Sequence, residues 1–286
     1  MSTPGRSDSR VQITLSPTTG EPVCERTLAT HADLDAVLAR AEAARRSWAD
    51  TPLERRIEQL TALVDQFVGR RTEIAKGITE QMGRPSRWTG GEVSGFEDRA
   101  RQMLALAPSA LAPVVPTPKA GFRRFIERVP LGNVLVLSPW NYPYLTAVNA
   151  VIPALAAGNT VVLKHSDQTP LAAEEIVAAG EAAGLPDGVL QFIHMGHDLT
   201  AAAIQDCRVH HVCFTGSVGG GHAVVQAASG RFIGMGLELG GKDAAIVRAD
   251  ADIAFAAANV VEGALFNSGQ SCCGVERVYV HAAIWD

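Results

Sequence analysis

Apolar positions along this chain change period once, and the change divides it into two kinds of structure. After a polar, extended lead-in over residues 1–30, Leu34, Val37, Leu38, Ala41 and Ala44 recur at three- and four-residue spacing, the period of one helix face. Thr30-His31-Ala32-Asp33 resembles a capping box, with Asp in the place of Glu or Gln. Pro52 opens a second long helix with the stripe Ile57, Leu60, Leu63, Val64 and Phe67, expected to end near Gly83 and Pro85. A third helix is expected over 91–107. Pro108, Pro113, Pro116 and Pro118 then mark a connector in which regular helix is hard to sustain.

From Phe122 the pattern shortens. Residues 122–129 read as a strand, and residues 132–138 as an apolar strand of the fully buried kind. Helices at about 145–157, 170–184, 198–205 and 220–229 then alternate with strands at 160–164, 189–194, 210–215 and 233–239. This order predicts an α/β fold with a doubly wound parallel sheet, which binds ligands at the carboxyl ends of its strands. After Gly240-Gly241 a new unit begins, with a strand at 243–247, a helix at 251–266 and a strand at 277–280. The expected division is 1–239, a helical region plus the sheet, and 240–286, the beginning of a second α/β domain.

Composition narrows the function classes. With 286 residues, 47% of them hydrophobic, the chain can bury one large core or two smaller ones. A net charge of -5 argues against a general nucleic-acid binder, and Arg123, Arg124 and Arg128 read as a solvated strand face. Five scattered cysteines make no disulfide scaffold, and no pair has the C-x-x-C spacing of a zinc site, so no metal is expected. Met1 to Arg10 lacks the apolar core of a secretory signal, and no segment has the uninterrupted apolar length of a membrane span. A reduced, cytoplasmic setting is the expectation.

The residues that could carry chemistry cluster at predicted strand ends. Cys272, followed by Cys273, lies in the Gly/Ser-rich turn 266–274, where a thiol is open to activation; a buried, inert thiol is the bland alternative. Glu238 ends an apolar strand before two glycines, where partial desolvation would raise its pKa and suit it to general-base work; an ion pair with Lys242 is the alternative. Asn141, in Pro139-Trp140-Asn141-Tyr142-Pro143, could donate to a developing oxyanion, or merely close a proline-bounded turn. The run from Gly216 through Ser217 to Gly221 joins a strand to a helix and suits a phosphate. Its glycines have P-loop spacing, but His222 stands where Lys is required, and tight helix packing explains them equally. Lys164 and Asp167 end another strand and could hold ribose hydroxyls or form a surface turn. The histidines read as structural.

Taken together and in this order, these motifs resemble the aldehyde dehydrogenase superfamily over residues 30–286. The family pattern P-W-N-x-P appears as Pro139–Pro143, K-P-S-E-x-T-P as Lys164–Pro170, and F-T-G-S-T-x-x-G as Phe214–Gly221. L-E-L-G-G-K appears as Leu237–Lys242, and F-x-N-x-G-Q-x-C is matched within Phe266–Cys272, its N-x-G-Q-x-C part as Asn267–Cys272. The departures are His165 for Pro, Asp167 for Glu and Val218 for Thr. The resemblance implies an NAD(P)-binding domain over 1–239 and the beginning of a catalytic domain over 240–286, with the chain stopping before that fold is complete. It implies Cys272 as nucleophile, Asn141 and the Cys272 N–H at the oxyanion, and Glu238 as the base that hydrolyses a thioester. Glu238 also argues for a hydrolytic rather than a CoA-acylating enzyme. Pro139, Trp140, Lys164, Asp167, Gly216, Ser217, Gly221 and Leu239 would hold the cofactor. That cofactor is NAD by preference, because Asp167 should repel a 2′-phosphate, with NADP as the alternative.

The expected substrate is a small-molecule aldehyde, with no nucleic-acid or membrane partner, and full-length relatives are expected to be homo-oligomers. Two other readings stay open. One is a truncated chain that keeps only cofactor or partner binding, and the other is a cofactor-free cysteine hydrolase. Truncation of such a domain is expected to leave unpaired strand edges and an exposed apolar face.

Overall fold

A computed structural model describes residues 11–285, so the reading of Met1–Arg10 lies outside the described residues. The lead-in is an antiparallel hairpin of β1 (Val11–Leu15) and β2 (Pro22–Thr27). Helix α1 (His31–Ala49) opens on the expected box. The Thr30 hydroxyl accepts from the Asp33 N–H at 3.3 Å, and the Asp33 carboxylate accepts from the Thr30 N–H at 2.7 Å. All five stripe residues from Leu34 to Ala44 are buried.

The second predicted helix is two: α2 (Leu53–Gly69) and α3 (Arg71–Met82). Arg70, at φ -100° and ψ 18°, breaks the run. The turn there lets Ile74 and Ile78 enter the same core as Leu63 and Phe67, and packing overrides the continuous pattern. Helix α4 (Ser86–Ala110) is longer than expected and contains Pro108. That proline lies in the last turn, so only one helical hydrogen bond is lost. The strand expected at 122–129 does not form. Only isolated bridges Val114–Ile126 and Lys119–Phe122 are present. Phe122, Ile126 and Val129 are more than half exposed, and among the described residues no sheet takes this segment as a strand.

The central sheet follows the predicted alternation: β3 (Asn133–Ser138), α5 (Pro143–Ala156), β4 (Thr160–His165), α6 (Leu171–Ala182), β5 (Leu190–Phe192), α7 (His197–Gln205), β6 (His211–Thr215), α8 (Val218–Ala228) and β7 (Gly234–Glu238). All pairings are parallel, in the order β5-β4-β3-β6-β7. Side-chain alternation divides the core. Val134, Val136, Val161 and Leu163 face the layer of α2 to α6, whereas Leu135, Leu137 and Val162 face α1, α7 and α8. Each such side chain contributes roughly 1.5–3 kcal/mol by burial. Burial on both faces explains why these strands read as unbroken apolar runs. From β3 the chain winds outward to β5, then crosses back to β6. The crevice between the carboxyl ends of β3 and β6 is the topological switch point.

Beyond it, β8 (Asp243–Val247) and β9 (Val275–Val280) form a separate parallel pair connected through α9 (Ile253–Leu265) and a 3₁₀ turn, Phe266–Gly269. No residue of α9 is buried, and Ile246, Phe255 and Leu265 are largely exposed. The apolar face expected of this unit is therefore present. Among the described residues no helix is long and apolar enough to cross a membrane.

Candidate functional site

At the switch point lies a cleft of about 580 Å³. Four segments build its rim: Pro139-Trp140-Asn141 after β3, Lys164 to Asp167 after β4, Gly216-Ser217 after β6, and Leu239-Gly240 after β7. Ser217 caps α8, its hydroxyl accepting from the Gly220 N–H at 3.1 Å. The open first turn of that helix leaves N–H groups and the positive end of the dipole at the cleft. Gly221 is the one predicted cofactor residue that does not line the cleft. A Cβ there would come 2.8 Å from Leu239 Cδ2, so Gly221 permits the close approach of α8 to the Leu239 wall. The apolar wall of Ala223, Val224 and Ala227 was not singled out from sequence; small residues at i and i+4 on α8 are its only signal.

Lys164 and Asp167 both reach this cleft. Burial pushes the Lys164 amine below its usual range, opposed by the Asp167 charge. The loop is held from outside by the hairpin: the Asp167 carbonyl accepts from the Thr14 hydroxyl at 2.7 Å and from Gln12 Nε2 at 3.1 Å. Between them, His165 is buried, with Nε2 2.8 Å from the Pro143 carbonyl and Nδ1 without a partner. Burial drives its pKa down to about 4, so the ring is neutral and ties β4 to the start of α5.

The cysteine segment enters the cleft from the opposite side. Asn267 and Ser268 take left-handed φ values of 54° and 59°, and the chain then presents Gln270, Ser271 and Cys272 to the cavity. Asn141 Nδ2 donates to the Gln270 carbonyl at 3.1 Å, so the two sequence-predicted groups Asn141 and Cys272 share one site. Cys272 is exposed as a residue. Partial burial of its thiol, together with Cys273 beside it, nonetheless pushes its pKa above the usual thiol range. The glycines after β7 abut this loop: a Cβ on Gly241 would lie 2.2 Å from the Cys272 carbonyl oxygen.

Glu238 differs from expectation. It is exposed and is not among the residues lining the cleft, so the desolvation expected for it is not found. Lys242 pairs with Glu276 rather than with Glu238. Glu238 lies at the edge of the sheet, and its own carbonyl accepts from the Gly216 N–H at 2.9 Å.

A smaller cavity of about 250 Å³ adjoins the same loop, walled by Arg87, Trp88, Tyr142, Leu145 and Phe266. Trp88 and Phe266 have ring centroids 5.7 Å apart. Burial raises the Tyr142 pKa, opposed by a hydrogen bond with Ser271. The Cys272 segment thus borders a large cleft on one side and an aromatic pocket on the other. Behind both sit buried Arg84, Glu92 and Asn267, which sequence reading missed because isolated charged or amide residues in helical and loop segments carry no periodic signal.

The residue pattern of the aldehyde dehydrogenase family matches residues 5–286. An aldehyde dehydrogenase of Paenarthrobacter nicotinovorans is 35% identical over 276 residues, covering 96% of this chain and 60% of that protein. Two solved structures are similar in fold and sequence. An NAD-dependent benzaldehyde dehydrogenase from Corynebacterium glutamicum has a TM-score of 0.90 and 30% identity, over 99% of this chain and 62% of its own. An NADP-dependent glyceraldehyde-3-phosphate dehydrogenase from Bacillus halodurans, complexed with NADP, has a TM-score of 0.89 and 30% identity, over 96% of this chain and 58% of its own. The chain therefore spans about 60% of the length of the relatives it matches.

Proposed function

The chain belongs to the aldehyde dehydrogenase family, and from that premise we propose that it carries the cofactor cleft and nucleophile for NAD(P)-dependent oxidation of an aldehyde to a carboxylic acid. The observation that carries this reading is the meeting of Cys272 and Asn141 at the mouth of a cleft that also holds the α8 N-terminus. Residues 1–239 form the cofactor unit and 240–286 the start of the catalytic unit.

The cleft suits a dinucleotide. Ser217 and the first turn of α8 offer N–H groups to a pyrophosphate, and Lys164 and Asp167 stand where ribose hydroxyls would be held. Pro139, Trp140, Gly216 and Leu239 supply the walls. The exposed Asp167 carboxylate disfavours a 2′-phosphate, so NAD is preferred. When bound, NAD(P)+ supplies the hydride acceptor.

The chain's own residues do the rest. The aldehyde enters the pocket beside Trp88, Tyr142 and Phe266. Cys272, once deprotonated, attacks the carbonyl carbon, and the carbonyl electron pair moves onto oxygen. Asn141 Nδ2 and the Cys272 N–H donate to that oxyanion, a kind of contact worth about 3 kcal/mol per donor. Loss of the carbon-bound hydrogen as hydride leaves a thioester on Cys272. Glu238, free of ion pairs, takes a proton from water, which hydrolyses the thioester to the acid and restores the thiolate.

One observation favours a second reading, cofactor binding without turnover: Glu238 is exposed and no residue of α9 is buried. The test is NADH formation with a panel of aldehydes, run for this chain and for Cys272→Ala, beside an NAD titration. Turnover by the first alone is expected. NAD binding without turnover selects the second reading, and absence of both overturns the functional proposal.

A further inference from the structure

Arg84 is 2% exposed and Glu92, its ion-pair partner, is fully covered. Burying such a pair carries a desolvation penalty that its mutual attraction repays only when the remaining hydrogen-bonding positions are filled. Here they are filled by one purpose-shaped set of contacts. Arg84 Nε donates to Asn267 Oδ1 at 2.7 Å, and Nη2 donates to the Asn141 carbonyl at 2.9 Å. Nη1 donates to Glu92, and the guanidinium lies 4.5 Å from the Tyr142 ring centroid. Glu92 Oε1 accepts from the Tyr144 N–H at 2.9 Å and the Leu145 N–H at 3.2 Å, two donors left open at the start of α5. Asn267 completes the ring: its Nδ2 donates to the Asn141 carbonyl at 3.0 Å and to the Gln270 carbonyl at 3.1 Å.

Apart from the Arg84–Glu92 pair itself and the anchoring of Glu92 on the first turn of α5, the Arg84 and Asn267 contacts end on two segments, the turn carrying Asn141 and the loop carrying Cys272. We propose that Arg84, braced by Glu92 and relayed by Asn267, is a positioning residue that sets the Asn141 amide against the Cys272 loop. This rests on the functional reading above for its consequence in turnover, but not for its consequence at the thiol. The planar guanidinium is needed because it must span three acceptors in fixed directions, which an ammonium cannot do. Arg84 does not line the cleft, and the first turn of α8 and the Lys164–Asp167 rim assigned to the nucleotide take no contact from it, so nucleotide binding is expected to stay unchanged when Arg84 is altered.

The test uses the full chain and two variants. Arg84→Lys keeps a cation beside Glu92 but cannot bridge Asn267 and Asn141. Arg84→Met combined with Glu92→Gln removes both charges and keeps an acceptor for the Tyr144 N–H. Iodoacetamide alkylation is followed against pH, cysteine by cysteine, by peptide mass spectrometry. Half-buried Cys213 in β6 reports whether the sheet is intact. NAD titration and steady-state kinetics accompany it. In both variants we expect Cys272 to alkylate several-fold faster at neutral pH, with its midpoint moved down, because the freed loop gains water. Cys213 labelling and NAD affinity stay within about two-fold, while kcat falls on the order of a hundred-fold with KM little changed. Unchanged Cys272 alkylation in an intact Arg84→Lys chain overturns the inference. Absence of turnover in the unaltered chain instead overturns the functional reading, and the alkylation profiles still decide the role of Arg84.

Discussion

Asn141 and Gln270 are joined side chain to backbone: the Asn141 amide nitrogen donates to the Gln270 carbonyl at 3.1 Å. The bond uses one of the two amide hydrogens and leaves the other for the reacting oxygen. Asn141→Ala therefore loses both an oxyanion donor and a tether of the cysteine loop. We expect kcat to fall by roughly 10²–10³, with NAD affinity unchanged. Steady-state NADH formation and a nucleotide titration check it, and equal losses in both would mean that the cleft itself had collapsed.

Gly241 touches the nucleophile loop more closely than any side chain would allow. In Gly241→Ala the added Cβ would stand 2.2 Å from the Cys272 carbonyl oxygen, a rigid backbone atom that cannot swing aside. The loop must shift, at a cost of about 1–3 kcal/mol for such overpacking. The expected result is a loss of turnover and an altered Cys272 alkylation rate, with NAD bound normally. Wild-type kinetics in this variant would contradict the close contact.

Burial first, then the charge and hydrogen bond of Cys273, raise the Cys272 pKa. A raised thiol pKa means less thiolate at neutral pH and a reaction rate that keeps climbing above pH 9. Cys273→Ala removes two of these causes. Its Cys272 alkylation midpoint should move down towards the ordinary thiol range, while the burial contribution remains. An unmoved midpoint would leave burial as the sole cause.

His165 makes stability depend on pH. Its pKa falls from 6.5 to about 4 through burial, assisted by Lys164 and His194 and opposed by the Pro143 carbonyl. The unfolded chain therefore binds more protons between these values. The stabilisation is complete above about pH 6.5, declines as pH falls through this window and levels off below 4. The loss amounts to about 2 kcal/mol at pH 5. Denaturant midpoints at pH 7 and pH 5 measure it, and His165→Gln should flatten the difference.

Cofactor choice is expected to follow Asp167, whose carbonyl is pinned by Thr14 and Gln12 and whose carboxylate, accepting from the Ser166 hydroxyl at 3.1 Å, lines the cleft. Asp167→Asn should strengthen NADP binding by about ten-fold, a change of ~1.4 kcal/mol, with little effect on NAD. Paired titrations decide it. No gain for NADP would mean that the 2′ position lies elsewhere.

Local and contiguous signals were legible in the sequence because their causes are local. The Thr30–Asp33 box closes within one turn, and the β3 and β4 runs are unbroken because both of their faces are covered by helices. The motifs around Asn141 and Ser217 could be placed at strand ends from the alternation, and Cys272 in the Gly/Ser-rich turn after a long helix. What the tertiary structure decided is everything that depends on a distant partner. The helix after Pro52 breaks at Arg70 so that two faces fit one core, and residues 122–129 form no strand because the segment beside them pairs only through the isolated bridge Val114–Ile126. Glu238 is exposed because the segments packed around it leave its side uncovered, which no strand pattern records. Arg84, Glu92 and Asn267 meet only when α3, α4 and the cysteine loop converge, and a hydrogen-bond ring closed across the fold has no spacing along the chain to betray it.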